Sequence, residues 1–261
     1  MHARREGDLI VTSRAMKVAR LFHFQTPQTS SILCTEFMNQ ETWTAVDRYI
    51  SDLLEPSDGA LDAALAASAA TGLPSINVSQ NQGKLLQLLA RIQQARNILE
   101  IGTLGGYSTI WLARALPVGG RLITLEFDPK HAEVARANIA RAGLANVVEL
   151  RIGRALDTLP QLAAEGRGPF DMIFIDADKP STADYFAWSL KLSRRGSLII
   201  VDNVVRKGAV TDAANDDPRV QGMRRFFEAL AVEKRVSATV VQTVGSKGYD
   251  GFAVALVTAD P

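Results

Sequence analysis

One cysteine, Cys34, stands among 261 residues. That excludes an internal disulfide, and no metal-ligand companion lies at useful spacing from it. Three histidines are present, and none sits where a ligand or base is expected: His2 and His23 lie in an aperiodic N-terminal stretch, and His131 in a polar helical pattern. Neither sign of charge dominates, with 29 Lys and Arg against 28 Asp and Glu, so nothing advertises a nucleic-acid or membrane-surface partner. A small-molecule ligand is the expectation. No apolar run approaches bilayer length, the N-terminus lacks a signal peptide's apolar block, and no internal repeat is visible. A reducing cytoplasm is the default location.

With 47% hydrophobic residues, the chain has the size and composition of one large globular domain with a small appendage. Residues 1–37 show no sustained period and are rich in Arg, Ser, Thr and Gln, so they read as an extension. The acids Glu6, Asp8 and Glu36 argue against an organelle transit segment. A well-formed amphipathic pattern begins at Met38, and the expected domain runs over 38–261, with helices over 38–96 and an α/β core over 97–261. The three helices are "ETWTAVDRYISDLL", "DGALDAALAASAATG" and "SQNQGKLLQLLARIQQA", the last capped by Ser79.

Beyond residue 96, short apolar runs alternate with helical patterns. The strands are "NILEIG", "RLITLE", "VVELRI", "DMIFID" and "SLIIVD". Continuous apolar strands alternating with helices predict a doubly wound α/β fold with a mostly parallel sheet covered on both faces. The tail departs from this: after the helix "PRVQGMRRFFEALAVEK", the strands "SATVVQTV" and "DGFAVALV" are separated only by "GSKGY" and must pair antiparallel. A seven-stranded sheet ending in an antiparallel hairpin follows.

Such sheets bind ligands at the carboxyl ends of their strands, near the reversal of strand order. The first strand ends in "ILEIGTLGGYST", where Gly102, Gly105 and Gly106 let the backbone turn tightly and approach a ligand. The turn is not G-x-G-x-x-G, which a pyrophosphate cradle requires. Glu100, an acid in a buried strand, meets either a ligand ammonium or hydrogen bonds that brace the loop. Glu126 ends the second strand, roughly twenty residues past the glycines, where a carboxylate accepts ribose hydroxyls. An adenosyl ligand without phosphates fits better than NAD. Asp128 reads as the cap of the helix opened by Pro129.

The fourth strand ends at Asp176 and the fifth at Asp202, followed by Asn203. Side by side they offer three hard oxygens to Mg²⁺ or a similar cation, although any one strand-end acid can simply cap a loop. Lys179 lies just past Asp176, close enough to act on a substrate proton; its alternative is a surface pair with Asp178.

"ILEIGTLGGYSTIWLARAL", "ITLEFDPKHAEVARANI", "FDMIFIDADK" and "SLIIVDNV" closely resemble the metal-dependent O-methyltransferases of the catechol and caffeoyl-CoA type, in their bacterial branch. The resemblance covers roughly residues 40–258, and the "DADK" and "DN" pair is its most specific part. It implies Asp176, Asp202 and Asn203 as ligands of a divalent cation (Mg²⁺, with Mn²⁺ or Ca²⁺ as substitutes) and Lys179 as general base. For the cofactor S-adenosylmethionine it implies Glu100 and Ser108 at the amino-acid part, Gly102 in the turn, Glu126 at the ribose, Ala155 at the adenine side, and Val78 and Asp178 as further contacts. It also implies a small aromatic diol as acceptor and a homodimer.

Three features depart from the family pattern: Val78 stands where the plant members carry Thr, although the catechol enzymes share the valine; the loop "VVRKGAVTDAANDD" after the "DN" pair is more charged; and "GSKGYDGF" is longer than the usual final turn. Arg206 and Lys207 in the loop after the "DN" pair either neutralise an acidic or CoA-bearing substrate or, as is more common, form a solvated charge pair. Tyr185 and Trp188 read as packing residues, at a point where the resembling family lets aromatics line the substrate wall. A nicotinamide oxidoreductase shares the fold but leaves the acid cluster unexplained. A non-catalytic cofactor-binding protein has no need of Lys179 and all three oxygens. The expected start of the functional chain is near Met38; intact mass of the protein made from its own locus tests this, and a retained Met1 would refute it.

Overall fold

The structure is a computed structural model that describes residues 39–54 and 58–260. The expectations placed on the N-terminal extension, its alternative starts Met16 and Met38, Cys34, His2 and His23 lie outside the described residues.

Among the described residues three helices precede the sheet: α1 (Gln40–Leu54), α2 (Gly59–Ala70) and α3 (Gln80–Ile92). Asp58 caps α2 through the amides of Ala60 and Leu61, and Ser79 caps α3 through that of Gln82. On α3, Gly83, Leu86, Gln87 and Ala90 are buried at helical spacing. Gly83 is there for proximity: a Cβ on it would lie 2.3 Å from the Trp111 ring.

The sheet contains β1 (Asn97–Ile101), β2 (Arg121–Glu126), β3 (Val148–Ile152), β4 (Met172–Ile175), β5 (Leu198–Asp202), β6 (Val236–Gly245) and β7 (Gly248–Val257), in the order β3-β2-β1-β4-β5-β7-β6. β7 alone runs antiparallel, against β5 on one side and β6 on the other. Strand order reverses between β1 and β4. The connecting helices are α4 (Tyr107–Ala113), α5 (Pro129–Arg141), α6 (Ala155–Ala164), α7 (Thr182–Lys191) and α8 (Pro218–Val232). Asp128 caps α5, with its carboxylate accepting from the Lys130 amide at 2.8 Å.

The central strands are mostly apolar because both faces are covered, with Glu100 and Thr124 as buried exceptions. Alternate residues feed two cores: Leu99, Ile101, Ile173 and Ile175 enter one, and Ile98, Met172, Phe174 and Ile200 the other. The final hairpin is tighter than its sequence suggests. β6 and β7 pair as far as Gly245 and Gly248, leaving only Ser246 and Lys247 in the turn, because Gly248 takes φ 94 and closes it. The "GSKGY" stretch is therefore mostly strand.

Candidate functional site

Register brings the acids together. Ile175 on β4 lies opposite Val201 on β5, so the next residues, Asp176 and Asp202, emerge side by side at the carboxyl edge of the sheet. Lys179, in the turn after Asp178, comes back across both: its Nζ donates to Asp176 Oδ1 at 2.8 Å and to the Asp202 carbonyl at 3.2 Å. Lys179 is buried, and Gly222 on α8 makes this possible, since a Cβ there would lie 2.2 Å from the Lys179 carbonyl oxygen. Asp202 is only 4% exposed. Its carboxyl is pushed well above the usual carboxylate range, first by burial and then by the charge of Asp176; Lys179, the Asn203 amide and the Gln82 side chain oppose this. Asn203 follows with φ 54, a left-handed conformation that Asn tolerates better than most residues.

Beside this cluster, at the reversal of strand order, lies a cavity of about 1090 Å³. Val78, Gly102, Ser108, Glu126, Ala155, Asp176, Asp178, Lys179 and Asn203 all line it. Gly102 has φ 101, and a Cβ on it would meet the Asp176 carbonyl oxygen at 2.1 Å, so the first turn and the acid cluster share one wall. Glu126 accepts from the amides of Thr103 (3.1 Å) and Leu104 (2.7 Å) through Oε2, and from Asp128 (2.9 Å) through Oε1. Two amides that a phosphate cradle would aim at its ligand are therefore committed to a carboxylate, which argues against a dinucleotide.

Two of the expected residues stand behind the wall. Asp202 does not line the cavity, although its neighbours Asp176 and Asn203 do. Glu100, expected at the amino-acid part of the cofactor, is fully buried, and its oxygens accept from the hydroxyls of Ser108, Thr109 and Thr124. With every near donor supplied by the fold, it braces the start of α4 and reaches the cavity only through Ser108. Burial pushes its carboxyl up to about 7, against the three hydroxyl bonds.

Several wall residues were given no site role from the sequence. His131, in the first turn of α5, brings Nδ1 to 3.4 Å from Glu126 Oε1; its spacing from the Asp128 cap was the available signal. Tyr185 packs, as expected, but also donates its hydroxyl to Asp178 and lines the cavity. Arg206 faces the cavity instead of solvent, while Lys207 is exposed. Arg154, Arg219 and Lys247 complete its basic lining, and nothing in their sequence neighbourhoods marked them. Among the described residues no group of three or more His, Cys, Asp or Glu is arranged to hold a metal, so a cation at the "DADK" and "DN" edge would depend on the Asn203 amide as its third oxygen.

An O-methyltransferase family model matches residues 59–255. A catechol O-methyltransferase of Niastella koreensis is 60% identical over 220 residues, which is 84% of this chain and all of that protein. The crystal structure of an O-methyltransferase from Bacillus cereus in complex with SAH superposes with a TM-score of 0.83 at 62% identity, covering 84% of this chain and 100% of that one. The O-methyltransferase TomG of Streptomyces achromogenes, involved in tomaymycin synthesis and solved in complex with SAM, has a TM-score of 0.83 at 57% identity, with 85% and 100% covered.

A buried acid whose folded pKa lies above its unfolded value contributes stability that is complete below the unfolded pKa and lost as pH rises through the folded one. For Glu100 the window runs from about 4.5 to about 7, and a shift of that size corresponds to roughly 3 kcal/mol. Urea unfolding of the wild type and Glu100→Gln at pH 5 and pH 8 should show the wild type losing stability relative to the variant at the higher pH. A difference that does not move with pH would mean that Glu100 ionises as an ordinary carboxylate.

Proposed function

The chain belongs to the O-methyltransferase family, and on that footing we propose that it moves the methyl group of S-adenosylmethionine to one hydroxyl of a vicinal aromatic diol, assisted by a divalent cation. The observation that carries this reading is the meeting of Asp176, Lys179, Asp202 and Asn203 at two adjacent strand ends, on the wall shared with the glycine turn. The SAH and SAM in the Bacillus and Streptomyces enzymes support the cofactor, and the name of the Niastella relative supports the acceptor class.

The residues present fit a cation. Asp176, Asp202 and Asn203 offer two carboxylates and an amide, the hard oxygen donors that Mg²⁺ takes, with Mn²⁺ and Ca²⁺ as substitutes. Asp202 is a desolvated acid beside a second acid, a pairing that a divalent counter-ion relieves. Bound there, the ion would supply Lewis-acid stabilisation of a phenolate.

The protein's own groups do the rest. Gly102, Ser108 and Glu126 border the space for the amino-acid and ribose parts of the cofactor, Ala155 the adenine side, and Val78 and Asp178 the remaining edges. Glu100 acts as a positioning residue through the Ser108 hydroxyl. Lys179, whose ammonium form the positive charge of a bound cation would disfavour, accepts the phenolic proton at its neutral Nζ. The oxygen–carbon bond forms as the carbon–sulfur bond breaks in line, and the sulfonium becomes a neutral thioether. No covalent enzyme intermediate is required, so much of the rate comes from holding two reactants in register.

We also assign a homodimer, supported by the apolar side chains that α1 leaves in solvent: Tyr49 is 67%, Leu53 63% and Leu54 71% exposed. Light scattering at micromolar concentration should give twice the chain mass, and a monomer mass would refute the assignment.

Methyl transfer to a panel of catechols, caffeate and caffeoyl-CoA, run with Mg²⁺ and then with EDTA, tests the activity. Turnover should vanish on chelation, and survival would make the three oxygens structural. Lys179→Ala should lose about 10²–10⁴-fold in turnover while still binding the cofactor; a near-normal rate would remove Lys179 from the role of base.

A further inference from the structure

The loop after Asn203 is held in an unusual conformation. Within six residues, Asn203 (φ 54), Arg206 (φ 54), Lys207 (φ 55) and Gly208 (φ 87) all take left-handed backbone angles, and three of them carry side chains. Such positions cost energy and persist only where surrounding contacts impose them. Here one carboxylate does so: Asp250 Oδ1, on β7, accepts from the amides of Val205 (2.9 Å), Arg206 (3.0 Å) and Gly251 (3.0 Å). The result is that Arg206 lines the cavity beside Asn203. Its Nε is buried without a hydrogen-bond partner, and no carboxylate among the described residues forms an ion pair with its guanidinium. Asp217, whose carboxylate feels the charge of Arg206, is already gripped by Arg219 at 2.6 Å.

Lys247 lines the same cavity from the β6–β7 turn. That turn is itself clamped by α1: Asp47 Oδ2 accepts from the Ser246 amide at 2.7 Å, and Gln40 Nε2 donates to the Gly245 carbonyl at 2.9 Å. Lys247 is an exposed residue, and its ammonium makes one long contact, 3.4 Å, to the Ser75 carbonyl. The other cations of the acid-cluster end are committed, Lys179 to Asp176 and Arg219 to Asp217. Arg206 and Lys247 thus line the cavity without a counter-ion among the described residues, each from a turn that a separate carboxylate fixes.

We propose that Arg206 and Lys247 form a subsite for an anionic substituent on the acceptor, so that this protein selects vicinal diols carrying a carboxylate. Asp250 is the positioning residue of that subsite. The proposal rests on the diol-methylation reading above and names its substrate class. A planar guanidinium with an unpaired N–H suits a carboxylate, which it can meet through two parallel hydrogen bonds. A neutral diol would leave the buried Arg206 Nε without a partner.

The test compares 3,4-dihydroxybenzoate with its methyl ester. In the wild type, kcat/KM for the acid should exceed that for the ester by about tenfold or more, the scale of one charge-assisted hydrogen bond. In Arg206→Gln and Lys247→Gln that ratio should fall toward one. Asp250→Ala should lower the ratio as well, through KM for the acid, and Asp250→Asn, which retains an accepting oxygen, should restore part of it. A merely structural Asp250 would slow both substrates alike. Calorimetric binding of 3,4-dimethoxybenzoate and its methyl ester, which have no hydroxyl to methylate, reads the subsite without turnover. Preference for the acid that depends on Arg206, with no methyl transfer to any diol, would sink the diol reading and keep the anion subsite. Methyl transfer with equal acid and ester rates, unaltered in the variants, would overturn the subsite and keep the diol reading.

Discussion

Two backbones meet at Gly102 and Asp176, and the site depends on that approach. β1 and β4 are neighbours at the point where strand order reverses, and their exits would diverge if any side chain stood between them. A Cβ on Gly102 would sit 2.1 Å from the Asp176 carbonyl oxygen, and the residue's φ of 101 is open only to glycine without strain. The glycine turn and the acid at the β4 exit are therefore parts of one wall of the cavity. In-line methyl transfer asks for two reactants held at a fixed separation, and a shared wall of packed backbone supplies it.

Charge is handled differently on the two sides of that wall. Toward β1 and β2, Glu100 and Glu126 are buried but satisfied from within, Glu100 by three hydroxyls and Glu126 by three amides. These carboxylates stiffen the turn. Toward β4 and β5, Asp176 and Asp202 have a single lysine between them, and burial raises the carboxyl of Asp202. An unbalanced acid pair is costly in a folded chain unless something completes it. The same chemical group thus serves as scaffold at one edge of the sheet and as a prospective ligand set at the other, and the number of protein donors around it makes the difference.

The segments outside the sheet have a comparable logic. Asp250 on β7 pins the loop after Asn203, and Asp47 on α1 pins the β6–β7 turn. Each carboxylate accepts backbone amides and forces a short connection into the cavity wall. The antiparallel hairpin that sets this sheet apart from a dinucleotide-binding one is what carries Lys247 to the site. Helix α1, which buries none of its residues, earns its place by holding that turn and Asn81 of α3.

By itself the sequence determined the alternation of elements, the antiparallel ending, the caps at Ser79 and Asp128, and the set of residues at the strand ends. These are local properties: apolar period, side-chain oxygens ahead of helices, and acids where apolar runs stop. Tertiary structure decided what each acid does. Glu100 and Glu126 look alike in the chain, yet one is sealed behind the wall and the other lines the cavity, because Thr109 and Thr124 reach Glu100 from a neighbouring helix and strand. Arg206 and Lys207 are adjacent charges in a polar loop, and only the left-handed turn fixed by Asp250, 44 residues away, sends one inward and leaves the other in solvent. Hydrogen bonds that span such distances leave no period or spacing in a sequence, so the direction of a side chain, and with it the character of the site, is settled only when the chain has folded.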